Sequence, residues 1–217
     1  MEDPHDPARS RPGYADPAAG KLVAPAAARN AGPIAETLAR LLAGAEGTVL
    51  EVAAGTGQHA VACAAALPRL DWLPTDPDPA HLASIAAWRA EAGPANLLAP
   101  RPLDARSDWG ALPGAPFRAV FCANMIHIAP WAAAEGLAAG AARVLAPGGL
   151  LILYGPFDEG AATAESNRAF DASLRARDPA WGLRPLTEVA ALAARHGFGA
   201  PQRIAMPANN LILAFPH

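Results

Sequence analysis

Val49 to Ala60, VLEVAAGTGQHA, limits the folds open to this chain more than any other stretch. It opens on apolar residues, Val49, Leu50 and Val52, enough for a buried strand. It then passes through Gly55-Thr56-Gly57 into an alanine-rich run from Ala60 to Ala66 that reads as a helix. Strand, glycine turn and helix in that order form the first half of a nucleotide-binding βαβ unit. The glycines permit backbone angles, and a close approach, that a Cβ would block.

Two acids sharpen this reading. Glu51 sits at the strand end, and Asp76 closes the next apolar segment (Leu70, Trp72, Leu73), about 20 residues past the glycines. At that distance a Rossmann-like fold presents a carboxylate to a ribose diol. A GxGxxG match alone is weak, and here Ala60 stands at its last position. A nicotinamide dehydrogenase uses the turn to admit a pyrophosphate. S-adenosylmethionine has no phosphate and carries a cationic sulfonium and an amine, so an acid just before the glycines favours it.

Composition bounds the rest. At 217 residues the chain suits one well-cored α/β domain better than two. A hydrophobic content of 52% against 17% charged residues indicates a globular chain. The net charge of -3 disfavours a large nucleic-acid footprint. No stretch approaches the roughly 20 apolar residues of a membrane span, and MEDPHDPARS lacks the basic start and apolar core of a signal peptide. The expectation is a cytoplasmic protein. Cys63 and Cys122 lie in apolar segments and read as buried inert thiols, since spacing partners for a disulfide or a metal site are absent.

Residues 1–20 are rich in Pro, Asp, Ala and Arg without periodicity and read as a flexible arm; residues 21–217 read as a single domain. Ile34, Leu38, Leu41 and Leu42 mark one face of a helix with Gly44 as its stop, and Arg29 and Asn30 are placed just before it, where the chain folds over the pocket. Asp78-Pro79 starts a second helix, with Leu82, Ile85 and Trp88 on its apolar side and Gly93-Pro94 at its end. Asn96 to Leu103 reads as a third strand ending at Asp104-Ala105, and Phe117 to Cys122 as a fourth. A helix from Trp131 to Leu145, the turn Ala146-Pro147-Gly148-Gly149 and a fifth strand, Leu150 to Tyr154, follow. The segment near 155–184 is an insertion over the open edge of the pocket, with Phe170 and Leu174 on one face of a short amphipathic helix and Asp171 and Arg175 on another. A helix from Leu186 to Arg195, stopped by Gly197, leads to an antiparallel edge hairpin containing Ile204 and Leu211 to Phe215.

These pieces resemble a class I S-adenosylmethionine-dependent methyltransferase. Glu51-x-Ala53-x-Gly55-x-Gly57 is similar to motif I of that superfamily, with Ala53 where the first glycine usually stands. More narrowly, PAAARN, AAGTGQHA, TDPDP, NMIHIAPW, YGPF, SNRAFDASLRARDPAWGLR and MPANN resemble a small methyltransferase-like family labelled a domain of unknown function. The resemblance implies a Rossmann-like, doubly wound seven-stranded sheet with the last strand antiparallel and S-adenosylmethionine as cofactor, but no settled substrate; the modest net charge and the absence of a nucleic-acid module point to a small-molecule acceptor. The resemblance places Glu51, Ala53, Gly55, Gly57, Gln58, His59, Asp76, Asp104, Ala105 and Asn124 on the cofactor side, Asp76 at the ribose and Asp104 at the adenine amine; the other readings are a loop-capping role for Asp104 and a satisfied structural acid for Glu51. It places Arg29, Asn30, Tyr154, Asn167, Asp171, Arg177 and Asn209 on the substrate side.

His127 lies past the fourth strand, where a doubly wound sheet binds its ligands. An imidazole with an unperturbed pKa of about 6.5 is a suitable base for a hydroxyl or protonated amine; the other reading is a histidine packed beside Met125 and Ile128. Two alternative functions stand beside the methyltransferase: an S-adenosylmethionine-binding protein that acts through a partner without catalysis, and an NAD-dependent oxidoreductase. The sequence leaves the oligomeric state and the chemistry of the acceptor atom open.

Overall fold

The structure is a computed structural model that describes residues 20–110 and 112–217. The expected arm therefore falls almost wholly outside the described residues. Seven strands form one sheet in the order β3-β2-β1-β4-β5-β7-β6. They are β1 (Gly47–Val52), β2 (Leu70–Asp76), β3 (Arg101–Pro102), β4 (Phe117–Ala123), β5 (Leu145–Gly155), β6 (Gln202–Met206) and β7 (Asn210–Pro216). The first five pair in parallel, and β7 runs antiparallel to both β5 and β6. The chain order reverses between β1 and β4, so the carboxyl ends of those two strands border the switch point at which such sheets bind ligands.

Helices cover both faces. On one face α1 (Pro25–Leu41) and α2 (Gln58–Ala66) pack Ile34, Leu38, Ala60, Cys63 and Ala64 against Val49, Trp72, Phe121 and Ile152. α3 (Pro79–Ala92) lies beside α2, with Ile85 fully buried. On the other face α4 (Trp131–Val144) and α6 (Leu186–Arg195) bury Leu137, Ala141, Val189 and Leu192 against Leu50, Val120, Leu151 and Leu213. Strands buried on both faces account for the near-continuous apolar text of β1, β4 and β5. Among the described residues no helix is long and apolar enough to cross a membrane.

Several local expectations hold. Asp78 caps α3 by accepting from the Ala80 N–H at 2.8 Å, and Gly197 follows α6 with a φ of +88°. Both cysteines are buried free thiols; burial raises Cys63 well above its ordinary range and pushes Cys122 up to about 12.

Four expectations are corrected. The third strand is far shorter than Asn96 to Leu103: Leu97 makes an isolated bridge to Trp72, and β3 keeps Arg101 and Pro102 alone. Pro100 and Pro102 have no N–H to give a ladder, which confines the segment to an edge contact. β5 begins at Leu145, which pairs with Phe117 before the Pro-Gly-Gly turn loops out and pairing resumes at Leu150 with Ala119. Arg29 and Asn30 lie within α1, which starts at Pro25, a proline at the helix start where its missing N–H costs nothing. In α5 (Glu165–Arg177) Leu174 is buried but Phe170 is 42% exposed, so the amphipathic face is narrower than its spacing suggests.

Candidate active site

The glycine turn is built around positive backbone angles. Ala53, Gly55 and Gly57 have φ of +56°, +59° and +92°. At Gly57 a Cβ would lie 2.9 Å from the Ile85 Cα, so glycine is what lets α2 approach α3. Ala53 holds a left-handed conformation with a side chain, a strain that glycine would not carry.

Asp76 ties this turn to the end of β2. Its Oδ2 accepts from the Gly55 N–H at 2.9 Å, and its Oδ1 accepts from the Asp78 N–H at 2.9 Å and lies 3.0 Å from His81 Nδ1. Glu51, one strand over, faces the α1–α2 side. Its Oε2 accepts from the Trp72 indole at 2.6 Å, and its backbone carbonyl accepts from the Thr75 hydroxyl at 2.7 Å. Burial raises the Glu51 carboxyl to about 8, against the indole bond and helped by the Asp76 charge.

A cavity of about 200 Å³ opens beside the turn. Val52, Ala53, Pro77, Leu103, Asp104 and Ala105 form one part of its wall, and Met125, Ile128, Ala129 and Pro130 face them. It is smaller than the roughly 300–1,000 Å³ of a pocket for a whole ligand, and its apolar walls suit a flat ring. Asp104 stands at its rim, clamped by Arg106 through the backbone N–H at 2.9 Å, Nε at 3.1 Å and Nη2 at 2.7 Å. That hydrogen bonding holds the Asp104 carboxyl below its ordinary range. Oδ2 accepts only the Nη2 bond of the three, which leaves it room for a second donor.

A second polar group lies between α1, α2 and β5. The His59 Nε2 is 2.7 Å from Asn30 Oδ1, and Asn30 Nδ2 donates to the Tyr154 hydroxyl at 3.2 Å. Burial pulls His59 down to about 4, so it is neutral here. Gln58 accepts from the Ala24 N–H at 2.7 Å and the Thr56 hydroxyl at 3.0 Å, which fastens the chain before α1 to the start of α2.

The loop after β4 carries Asn124, left-handed at φ +60°, and His127, which is 1% exposed. Neither ring nitrogen of His127 has a partner at hydrogen-bonding geometry among the described residues. The ring meets Phe157 edge-on at 5.1 Å, and a Cβ on Gly155 would stand only 2.5 Å from its Nε2. Burial, with the Arg184 charge, pulls His127 down to about 3.

The insertion docks on this loop. Arg184 donates to the carbonyls of Ile126 and Ala129, each at 2.8 Å, and the Gly182 N–H donates to the His127 carbonyl at 2.9 Å. Asn167 Nδ2 donates to the Asn209 carbonyl at 2.9 Å, joining α5 to the turn between β6 and β7. Asp171 accepts from the Leu183 N–H at 2.7 Å and from Arg175 at 2.9 Å, and Arg177 stacks on Trp181 at 5.0 Å.

The structure thus brings Ala53, Asp104 and Ala105 to one cavity, with Gly55 and Gly57 in the adjoining turn and Asp76 bonded to it from the end of β2. Asn30, His59 and Tyr154 form a separate hydrogen-bonded chain. None of the cavity's lining residues comes from the insertion, and Arg29 is exposed. The residues that sequence reasoning did not single out are Met125 and Ile128 as cavity wall, Arg106 as the clamp on Asp104, and Arg184 as the fastening of the insertion. Arg106 lies two residues from its partner and was open to a local reading; the Arg184 contacts span 55 and 58 residues and left no local signal.

Residues 21–217 match a family described as "Protein of unknown function (DUF938)". The chain belongs to that family. Among solved structures it is similar to an O-methyltransferase family 2 protein from Planctomyces limnophilus in complex with apigenin, at 20% identity and a TM-score of 0.73 over 88% of this chain and 60% of that one. An O-methyltransferase family protein from Burkholderia thailandensis gives 18% and 0.69 over 87% and 56%. Human N-acetylserotonin methyltransferase in complex with SAM gives 16% and 0.64 over 78% and 47%. At these identities the likeness carries the fold, which is that of class I methyltransferases. The chain spans between 47% and 60% of the length of these three structures.

Proposed function

We propose that this protein is an S-adenosylmethionine-dependent methyltransferase acting on a small molecule. The observation that carries this reading is the juxtaposition of the Ala53–Gly57 turn, the Asp76 carboxylate bonded to it and a ring-sized cavity whose rim holds Asp104. That arrangement fits an adenosine: the apolar walls for the purine, Asp104 Oδ2 for its exocyclic amine and Asp76 for the ribose. Glu51, Gln58, His59 and Asn124 surround the turn and the loop after β4, where the methionine end would lie. When bound, S-adenosylmethionine supplies a methyl group activated by a positive sulfur for in-line displacement.

The chain's own part is alignment. The amides and phenol of Asn30, Tyr154, Asn167 and Asn209 are the substrate-side groups, with Arg29 exposed on α1. Asp171 and Arg177 belong to this side through the insertion they brace. His127 is the proposed proton acceptor or orienting group. Both its ring nitrogens lack hydrogen-bond partners among the described residues, but the ring is buried outside the cavity lining, and burial makes it a weak base, so contact with an acceptor requires the loop after β4 to move. Its role as a base requires contact with a more polar ligand. His127→Ala with unchanged turnover on the acceptor would remove it.

Calorimetric titration with S-adenosylmethionine and with NADH tests the reading. Binding of the former, weakened roughly ten- to hundredfold by Asp76→Asn through loss of a charged hydrogen bond, is expected. Preference for NADH would return the protein to the oxidoreductases.

A further inference from the structure

The loop between β4 and α4 serves two neighbours. Met125, Ile128, Ala129 and Pro130 form one wall of the cavity, and Ile128 is left 45% exposed there. The loop's own turn satisfies only part of its backbone. The Asn124 and Met125 carbonyls accept from the N–H groups of His127 and Ile128 at 3.0 and 3.1 Å. The carbonyls of Ile126, His127 and Ala129 take their donors from the insertion instead, from Arg184 and the Gly182 N–H. Arg184 also donates to the Ala180 carbonyl at 2.8 Å, and its guanidinium lies 5.6 Å from the centre of the Trp131 ring, where α4 begins. No carboxylate among the described residues forms an ion pair with Arg184, so its hydrogen bonds go to backbone alone. A wall whose backbone is held by another segment stands where that segment holds it.

We propose that Arg184 is a positioning residue for the cofactor: it fixes the cavity wall against which the purine packs, and so couples order in the insertion to binding of S-adenosylmethionine. This rests on the cofactor reading above. Arg184 touches no ligand on this account; it acts through the carbonyls of Ile126 and of Ala129, and Ala129 itself lines the cavity. The coupling is reciprocal. A ligand that packs on Met125 and Ile128 steadies the loop and, through Arg184, the insertion. An insertion that lets go of the loop leaves the wall free to shift and weakens the ligand.

Calorimetric titration with S-adenosylhomocysteine, paired with amide exchange in the free and bound protein, tests this on the wild type, Arg184→Met, Arg184→Lys and Thr163→Val. In the wild type the ligand is expected to slow exchange in the loop after β4 and also at 181–184, although no lining residue comes from the insertion. Arg184→Met keeps a long side chain without donors. It is expected to weaken binding about tenfold and to abolish the effect of the ligand on 181–184, with exchange in the sheet unchanged. Arg184→Lys keeps the charge but lacks the planar fork that reaches both carbonyls, and is expected to fall between the two. If Arg184→Met also loosens the sheet, the lysine variant carries the comparison. Thr163 accepts from the Glu159 N–H and donates to Asp158, each at 2.7 Å, at the start of the insertion. Thr163→Val is expected to loosen that end and leave the affinity unchanged. Full affinity in Arg184→Met, or exchange at 181–184 of the wild type that ignores the ligand, overturns the proposal. An equal loss of affinity in Thr163→Val also overturns it, by assigning the effect to the insertion at large. Failure of both S-adenosylhomocysteine and S-adenosylmethionine to bind the wild type removes the cofactor reading, and this proposal with it.

Discussion

At Gly57 the demands on one residue are tightest: a φ of +92° and a Cβ position 2.9 Å from the Ile85 backbone. Gly57→Ala combines left-handed strain with overpacking, each costing about 1–3 kcal/mol. Urea unfolding is expected to show a loss of about 2–6 kcal/mol. Ala53 presents the opposite case. Its φ of +56° already carries the strain of a side chain in the left-handed region. Ala53→Gly relieves that strain, less the unfolded-state entropy that glycine adds, so its stability is expected to be unchanged or up to about 1 kcal/mol higher. A marked destabilisation would show that the Ala53 methyl packs in the cavity wall to more effect than its backbone strain costs.

Elements show what was legible in the sequence and what was not. The strand-turn-helix at Val49 to Ala66, the Asp78-Pro79 helix start and the Gly197 stop could be read because each depends on a few consecutive residues. β3 is shorter than its apolar residues at 97, 98 and 103 suggest, because two prolines remove its donors. Asp76 and Asp104 could be placed by spacing along the chain, whereas the partners that hold Glu51, Asn30 and Arg184 come from other elements. The Trp72–Glu51 bond had a faint signal: Trp72 pairs with Val49 in register, two residues before Glu51 on the same sheet face. Arg184 makes the element-scale prediction. Its guanidinium fastens the insertion to the loop after β4, so Arg184→Met is expected to raise amide exchange and proteolysis within 156–185 while the sheet core keeps its protection. Equal loosening of the sheet would mean that Arg184 serves the whole fold.

Across the whole molecule, three buried groups dominate the dependence of stability on pH between about pH 5 and about pH 8. His59 and His127 are lowered from 6.5 to about 4 and about 3 on folding. Their contribution is present above the unfolded value and is lost as pH falls below 6.5. Glu51 is raised from 4.5 to about 8, so its contribution is complete below 4.5 and is lost as pH rises toward 8. Near 6.5 the unfolded histidines hold about one proton between them, matching the one that folded Glu51 holds, and stability passes through its maximum at about that pH. Thermal unfolding across pH is expected to peak there. His127→Leu is expected to flatten the acid side, because an apolar side chain leaves no buried nitrogen to charge, and Glu51→Gln the alkaline side. A peak displaced by more than about a pH unit would place at least one of these groups in a different environment.

On the proposed function, the cavity beside the glycine turn holds adenosine. A crystal structure of the protein with S-adenosylhomocysteine tests it most directly. The purine is expected between Leu103 and Met125–Ile128 with its amine on Asp104, and the ribose hydroxyls on Asp76. A ligand bound elsewhere, or a purine site lacking both carboxylates, would contradict the claim.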